Sequence, residues 1–312
     1  MILLTGANGF LGSSLAERIQ TNVRCIVRHN INPSIASYNL YRVDSLSALT
    51  DWSGALNEID IVIHLAGRAH VLDEGSGNTI DEYIRINTEA TLHLANQAAL
   101  RGVKRFIFLS SIGVNGDNSV QPFSEKDTPT PKSPYAISKL KAEEGLWEIS
   151  RKTGLEIVII RPPLVYAPNA PGNFGRLVSA VRSGMPLPFG AINNKRSLIS
   201  INNLLDFIML CVYHPKAANE TFVISDGSDI STSNLLRLVA RAMNKRVCLI
   251  PIPPLFLFVG GILVGKKNRI KKLLDNLQVD PSKAQNLLGW KPRLSTSDQI
   301  LEMAEEFKNG HT

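Results

Sequence analysis

The 312-residue chain has little cysteine. Its three residues, Cys25, Cys211 and Cys248, are far apart and odd in number, with no CxxC and no Cys/His ligand spacing. That excludes a disulfide framework and leaves no metal site to expect. The thiols read as reduced core residues of a protein kept in a reducing compartment. Long hydrophobic runs are also missing. The strongest, Pro254 to Val264, is about half the ~20 residues that a spanning helix needs. The ordinary reading of so short a run is a buried helix of the second half. The alternative is a patch on a membrane surface, because Lys266, Lys267, Lys271 and Lys272 follow it. There is no internal repeat and no low-complexity tract, and no Lys/Arg block is long.

What is present fits a globular protein of the cytoplasm. The first residues already form a strand, so no signal peptide is read. The chain is 44% hydrophobic and 20% charged, enough for a large core and two lobes. A net charge of +7 and a pI near 9.3 suit an anionic partner. A nucleotide fits that charge; no nucleic acid is expected, and a peripheral membrane contact stays open at the Pro254 run.

Met1 to Thr5 reads as a strand that runs into Thr5-Gly6-Ala7-Asn8-Gly9-Phe10-Leu11-Gly12, and Ser13 to Ile19 reads as a helix. Strand, glycine-rich turn and helix together cradle a pyrophosphate. Glycines let the backbone approach, and the helix N-terminus supplies N–H groups and partial positive charge. The contacts expected there are Gly6, Asn8, Gly9, Phe10, Leu11 and Gly12. Val23 to Val27 is the next strand, followed by Arg28 and His29. No Asp or Glu lies between Arg24 and Tyr41 to hold a ribose 2′-hydroxyl, whereas Arg28, with His29 beside it, suits a 2′-phosphate. On this ground NADP(H) is favoured over NAD(H). A third strand at Asn39 to Val43 leads to Asp44, placed to meet the adenine edge.

Further strands are expected at Ile59 to Leu65, Phe106 to Leu109 and Ile157 to Ile160, with a long helix over Ile80 to Ala99 that contains Asn87. Alternating strands and helices imply a doubly wound parallel sheet covered on both faces, with ligands beyond the carboxyl ends of the strands. A helix opens at Pro134, and its Tyr135 and Lys139, four apart, share one face. An ammonium beside the phenol is expected to favour the phenolate and ready it for proton transfer. Ser110 and Ser111 both end a strand nearby.

With Gly6/Gly9/Gly12, Ser111, Tyr135 and Lys139 in order, the sequence resembles the extended short-chain dehydrogenase/reductase family over nearly its whole length. Within that family it resembles the nucleotide-sugar epimerase, dehydratase and ketoreductase branch. His64-Leu65-Ala66-Gly67 resembles the family's strand-end motif, and Asn87-Thr88-Glu89-Ala90-Thr91 its Asn-x-x-Gly-Thr. Arg161 to Pro168 resembles its Arg-Pro-x-x-x-Tyr-Gly-Pro. Ala90, Ala136 and Ala167 replace glycines, and no reacting group is lost. The resemblance implies a Rossmann-type domain over residues 1–165, with a segment near 196–225 returning to it. A smaller α/β lobe over 166–312 would bind the nucleotide sugar.

The same resemblance assigns Tyr135 as the acid–base residue, Ser111 as the donor to the reacting oxygen, and Lys139 as the ribose contact. Ser111 is preferred to Ser110 for its spacing to Val114-Asn115-Gly116. Leu65, Ala66, Gly67, Asn87 and Pro162 would border the cofactor. Ser111, Asn173, Phe189, Arg196 and Arg269 would face a UDP-sugar, the two arginines gripping its diphosphate. Leu198 and Asn203 depart from the family's Arg-x-(aromatic)-(Ile/Val)-x-Val-x-Asp-Leu, which puts the packing there in question. A homodimer through the Tyr135 and Asn87 helices is implied, as in many relatives. A dehydratase is excluded because Ile112 and Gly113 stand where its Asp-Glu pair would be. A C4 reductase of a 4-keto-6-deoxy UDP-(N-acetyl)hexose, serving surface polysaccharide, is the reading the Arg28 argument favours. A UDP-glucose or UDP-GlcNAc 4-epimerase with tightly held NAD is the alternative, and a non-catalytic nucleotide sensor is the alternative of another class.

Overall fold

Runs of branched aliphatic residues mark strands that are covered on both sides. β1 (Ile2–Thr5), β2 (Val23–Val27), β4 (Ile61–His64), β5 (Arg105–Leu109) and β6 (Glu156–Arg161) are of this kind, while β3 (Asn39–Arg42) and β9 (Glu220–Val223) are the less covered edges of the sheet, and β7 (Leu164–Tyr166) and β8 (Leu198–Ser200) lie outside it. The computed structural model describes all residues except 21, 29–30, 69–79, 264 and 310–312, and the side chains at 268, 269, 308 and 309. Seven strands form one parallel sheet in the order β3-β2-β1-β4-β5-β6-β9, and β7 pairs with β8 in a separate parallel ribbon. Ile2 sits between Val23 and Ile61, so the order reverses at the gap between β1 and β4. In doubly wound sheets that reversal opens the crevice where ligands bind.

Alternate residues of each strand enter different cores, as the period of two requires. Leu4, Cys25, Ile63, Ile107 and Val158 join Leu15 and Ala16 of α1 (Phe10–Ile19) on one face. On the other, Leu3, Val62, Phe106, Phe108 and Ile157 meet Leu94, Ala95, Ala142 and Leu146. Those four residues belong to α3 (Ala90–Leu100) and α4 (Pro134–Thr153), which follow the short α2 (Ile80–Tyr83). Beyond α4 come α5 (Asn173–Arg182) and α6 (Ile201–Tyr213), and α6 packs Phe207, Ile208 and Cys211 beneath the first face. The chain ends with α7 (Thr232–Ala242), α8 (Pro254–Leu263), α9 (Lys267–Leu274), α10 (Ser282–Leu288), α11 (Thr296–Glu302) and α12 (Ala304–Asn309).

Three expectations change. The long helix over Ile80 to Ala99 is broken, because Ile84–Glu89 winds as a π-helix between α2 and α3. Cys25 and Cys211 are buried, and burial pushes both thiols up, Cys25 to about 11, but Cys248 is exposed and not a core thiol. The apolar run at Pro254 forms α8, yet most of it faces solvent instead of a core: Leu255, Phe256 and Leu263 are 68%, 66% and 82% exposed.

The departure at Asn203 has a local reason. Asn203 is buried and donates from Nδ2 to Asp226 Oδ1 (2.7 Å), while its Oδ1 accepts from the Arg293 amide (3.0 Å). Tyr166 donates to the other Asp226 oxygen (2.6 Å), and the Ser200 amide donates to both. Burial raises the Asp226 pKa against these hydrogen bonds. A second carboxylate at 203 would face Asp226 without a donor between them. Asn203→Asp is therefore expected to lower stability by more than the roughly 1–3 kcal/mol cost of an unsatisfied buried group. Carboxyls with raised pKa values in the folded state lose their stabilising share as pH rises through those values, so the deficit should be larger near pH 8 than near pH 5. Urea unfolding of wild type and variant at both pH values measures it.

Candidate active site

The glycine turn lies at the carboxyl end of β1. Gly6 has φ +75°, a left-handed conformation that costs glycine little. A Cβ at Gly12 would lie 2.0 Å from the Gly6 carbonyl oxygen, so α1 can start this close to the strand only with glycine there. Gly9 is the N-cap of α1 and offers no side-chain cap, which leaves first-turn N–H groups turned to the crevice. Such a cradle fits a dinucleotide pyrophosphate. Asn8 accepts from the Asn32 amide (3.0 Å) and ties the turn to the loop after β2. Phe10 and Leu11 are half-buried in the first turn of α1, and Arg28 and Asp44 are exposed at the ends of β2 and beyond β3. His29 lies outside the described residues.

At the end of β4, Ala66 is buried and Leu65 half-buried. The Ala66 amide donates to Thr5 Oγ1 (3.3 Å), so the two strand ends are joined. His64 is buried between Thr5 Oγ1 (2.7 Å from Nδ1) and Thr91 Oγ1 (2.9 Å from Nε2). Burial, and then the charge of Lys139, depress its pKa to about 3, so it is a neutral, structural imidazole. Asn87 sits in the π-helix, where the extra residue per turn swings its side chain inward. It accepts from the Arg68 amide (2.7 Å) and donates to the Arg68 carbonyl (3.1 Å) and to Ser138 Oγ (3.0 Å). Asn87 thereby fixes the backbone at Arg68, just after Gly67, against α4.

The N-terminus of α4 is built by its sequence. Ser133 caps it by accepting from the Ala136 amide (3.2 Å), Pro134 occupies the first turn, and Gly154 ends the helix at φ +79°. Tyr135 and Lys139 follow on one face. Lys139 is buried; its Nζ donates to the Leu109 carbonyl (2.9 Å) and stands 4.4 Å from the Phe108 ring centroid. Desolvation lowers its pKa to about 8, partly offset by Glu143. The half-buried Tyr135 lies edge-on to Tyr83, with ring centroids 6.4 Å apart, and Ser111 is close enough to its hydroxyl to favour the phenolate. The expected downward pull of Lys139 on the phenol is outweighed. Burial, and then Tyr83, push it up to about 12, and Ser111 only moderates the rise.

The structure separates the two serines. Ser111 accepts from the Gly113 amide (3.1 Å) at the start of a short turn and reaches Tyr135. Ser110 instead points into the protein and donates to Glu143 Oε1. That carboxylate was not singled out from the sequence. It lies four residues after Lys139 on α4 and pairs with Arg161, whose Nε is 3.0 and 3.2 Å from its two oxygens and whose Nη2 donates to Oε2. Arg161 Nη1 donates to Asn115 Oδ1 (3.0 Å), and Asn115 Nδ2 to the Ser124 carbonyl (2.9 Å). The pair is 3% and 8% exposed at the side chains. Its signal in the sequence was the i+4 spacing from Lys139, which places Glu143 on the sheet-facing side. Pro162 follows Arg161, and its carbonyl accepts from the Ile112 amide (3.0 Å), holding the Ser111 turn against the end of β6.

Of the expected substrate contacts, Asn173 is exposed in the first turn of α5, and the half-buried Phe189 offers its carbonyl to Ser233 Oγ (2.5 Å). Arg196 is joined by backbone to Ile230 and Leu277. Its Nη1 donates to the carbonyls of Lys272 (2.8 Å) and Asp275 (3.2 Å), capping the end of α9. Desolvation lowers its pKa, with Asp275 opposing. The Arg269 side chain lies outside the described residues. A cleft of about 500 Å³ lined by Lys195, Asp229, Asn234 and Arg237 contains none of the expected cofactor or catalytic residues.

Residues 2–225 match the family described as "NAD dependent epimerase/dehydratase family". The chain is 41% identical to the UDP-glucose 4-epimerase of Vibrio cholerae over 98% of this chain and 95% of that one. It is 27% identical to the N-acetyl-alpha-D-glucosaminyl-diphospho-ditrans,octacis-undecaprenol 4-epimerase of Escherichia coli O157:H7, over 91% and 88%. Its backbone follows the crystal structure of UDP-glucuronic acid 4-epimerase from Bacillus cereus in complex with NAD with a TM-score of 0.80, at 24% identity over 100% and 99% of the chains, which is a likeness of fold.

Two measurements test the geometry. In the cofactor-free protein, ultraviolet difference titration of wild type against Tyr135→Phe should show no Tyr135 phenolate at about pH 10, where a free tyrosine is half ionised. Glu143→Gln leaves the Arg161 charge buried without its partner and should cost about 3–5 kcal/mol in urea unfolding. Ser110→Ala, which removes one hydrogen bond to the pair, should cost about 1 kcal/mol.

Proposed function

The chain belongs to the NAD dependent epimerase/dehydratase family of extended short-chain dehydrogenases/reductases, and on that premise we propose that it is a 4-epimerase of a diphosphate-linked hexose, with a UDP-hexose as first substrate and NAD as resident cofactor. The observation that carries the reading is the group at the carboxyl end of β5. Tyr135 lies beside Ser111, and Lys139 follows one turn later on α4, near a glycine cradle shaped for a dinucleotide. The 41% identity to a UDP-glucose 4-epimerase supports the choice of reaction.

In this reading Gly6, Gly9 and Gly12 hold the pyrophosphate, and Lys139 and Asn87 border the nicotinamide ribose. The bound dinucleotide supplies hydride transfer at C4 and, when oxidised, a positive charge that favours the phenolate. Tyr135 takes the proton from the 4-hydroxyl as C4 becomes a ketone and returns it when the hydroxyl re-forms on the other face. Ser111 donates to the same oxygen. Charge-assisted donors of this kind favour the alkoxide-like oxygen over the neutral hydroxyl. Arg196 is the residue proposed to hold the diphosphate, because a guanidinium matches phosphate oxygens in bidentate fashion.

Two features favour other readings and set the controls. Arg28, exposed where a 2′-phosphate would lie, supports an NADPH-consuming 4-ketoreductase. The exposed apolar face of α8 favours a sugar diphosphate carried on a polyprenol, the kind of substrate named for the Escherichia coli relative.

The purified protein should convert UDP-glucose or UDP-GlcNAc to the C4 epimer without added cofactor and release NAD on denaturation. Tyr135→Phe should slow turnover by about 10²–10⁴ while NAD binding is kept. Ser111→Ala should lower kcat with little change in unfolding midpoint. Absence of an epimer, together with stoichiometric NADPH use on a 4-keto UDP-sugar, would make it a reductase. Epimerisation of only the polyprenol-linked sugar would move the substrate to that class.

A further inference from the structure

The basic charge of the chain is not spread evenly. Between Asp229 and Asp275 there is no Asp or Glu, and there are nine Lys and Arg. The whole chain holds 34 basic and 27 acidic residues, so everything outside this segment is net −2. Arg237, Arg241, Lys245, Arg246, Lys266, Lys267, Lys271 and Lys272 are all exposed. The net positive charge of the protein therefore comes from this one segment of the chain.

The same segment carries α8. Leu257 and Gly261, four residues apart, face inward, and a Cβ at Gly261 would lie 2.8 Å from the Ile270 side chain, so α8 packs tightly on α9. Leu255, Phe256, Val259, Ile262 and Leu263 are exposed. At a helical step of 100° they fall within a stripe about 120° wide. Monomeric proteins seldom leave so many large apolar side chains together in water. Lys266 and Lys267 stand where α8 passes into α9, and the Lys267 ammonium lies 5.9 Å from the Phe258 ring centroid. Lys271 pairs with Asp275, and Lys272 reaches Asp117 at 4.0 Å.

We propose that α8 and the head of α9 dock this protein on an anionic lipid bilayer, the α8 stripe lying among the acyl chains near the headgroups and Lys266 and Lys267 meeting lipid phosphates. An apolar helix face that carries no carboxylate of its own and is followed by exposed lysines is the arrangement that binds such a surface. No described helix is long and apolar enough to cross the membrane, so the contact is in the interface plane. Arg196, which caps the end of α9, places the proposed diphosphate subsite next to the docked hairpin.

The test is co-sedimentation of the full chain with vesicles of phosphatidylcholine alone and of phosphatidylcholine mixed with phosphatidylglycerol. Binding is expected to the mixed vesicles at low salt, with weaker binding as salt rises and little to the neutral ones. The double change Leu255→Glu/Phe256→Glu should weaken binding at least about ten-fold. Lys266→Glu/Lys267→Glu should weaken it and flatten its salt dependence. Both pairs are on the surface, so melting temperature and NAD binding should be unchanged. The proposal is overturned if the protein stays in the supernatant with the mixed vesicles, or if Leu255→Glu/Phe256→Glu binds as wild type does. It is overturned equally if sedimentation velocity shows a dimer that this double change dissociates while wild type ignores vesicles, since the stripe would then be covered by a second copy.

Discussion

Glu143 and Arg161 form a buried ion pair between the middle of α4 and the last residue of β6. A pair of this kind is costly to desolvate and repays the cost only when its remaining hydrogen-bonding capacity is met. Here it is met: Ser110 donates to Glu143, and Arg161 donates onward to Asn115. The participants come from the end of β5, the end of β6, the loop after Ser111 and α4. Their mutual satisfaction sets the height and rotation of α4 over the sheet, and with it where Tyr135 and Lys139 stand. The two serines that follow β5 divide the work by the period of two: Ser110 faces inward to Glu143, so Ser111 faces the other way.

A second lock acts from the other side. The π-helix at Ile84–Glu89 turns Asn87 into the protein, where it holds the backbone at Arg68 with one side-chain oxygen and one nitrogen and bonds Ser138. Thr88 donates to the Ser138 carbonyl (2.8 Å), so one turn of α4 is gripped twice. Lys139, the next residue, is left with a carbonyl of β5 and an aromatic ring as company. Its low-dielectric setting depresses its own pKa and raises that of Tyr135. In the cofactor-free protein the phenol thus holds its proton firmly, and a nearby positive charge would have the largest effect in just such a setting.

Local patterns made much of this legible. Gly6, Gly9 and Gly12 announced a turn that needs left-handed backbone and close approach, and Gly6 and Gly12 have those roles. Ser133, Pro134 and Gly154 bounded α4, because caps and breakers act through bonds a few residues away. The spacing of Tyr135 and Lys139 placed them on one face for the same reason. The parallel sheet followed from alternating apolar strands and helices, and the family relation bears that out.

What only the tertiary structure decided involves partners distant in sequence. Nothing near Asn203 says that Asp226 waits for its amide, and nothing near Ser110 says that Glu143 and Arg161 lie beneath it. The sign of the Tyr135 shift depends on how many atoms exclude water from it, which no spacing records. The run from Pro254 read as a helix by its apolar content, and a helix it is. Whether that helix is buried depends on whether another element arrives to cover it. The sequence by itself determined the periodicity and termini of the elements, since those rest on bonds within one turn. Burial, and every charge and hydroxyl whose meaning depends on it, was decided by which surfaces the folded chain brings together.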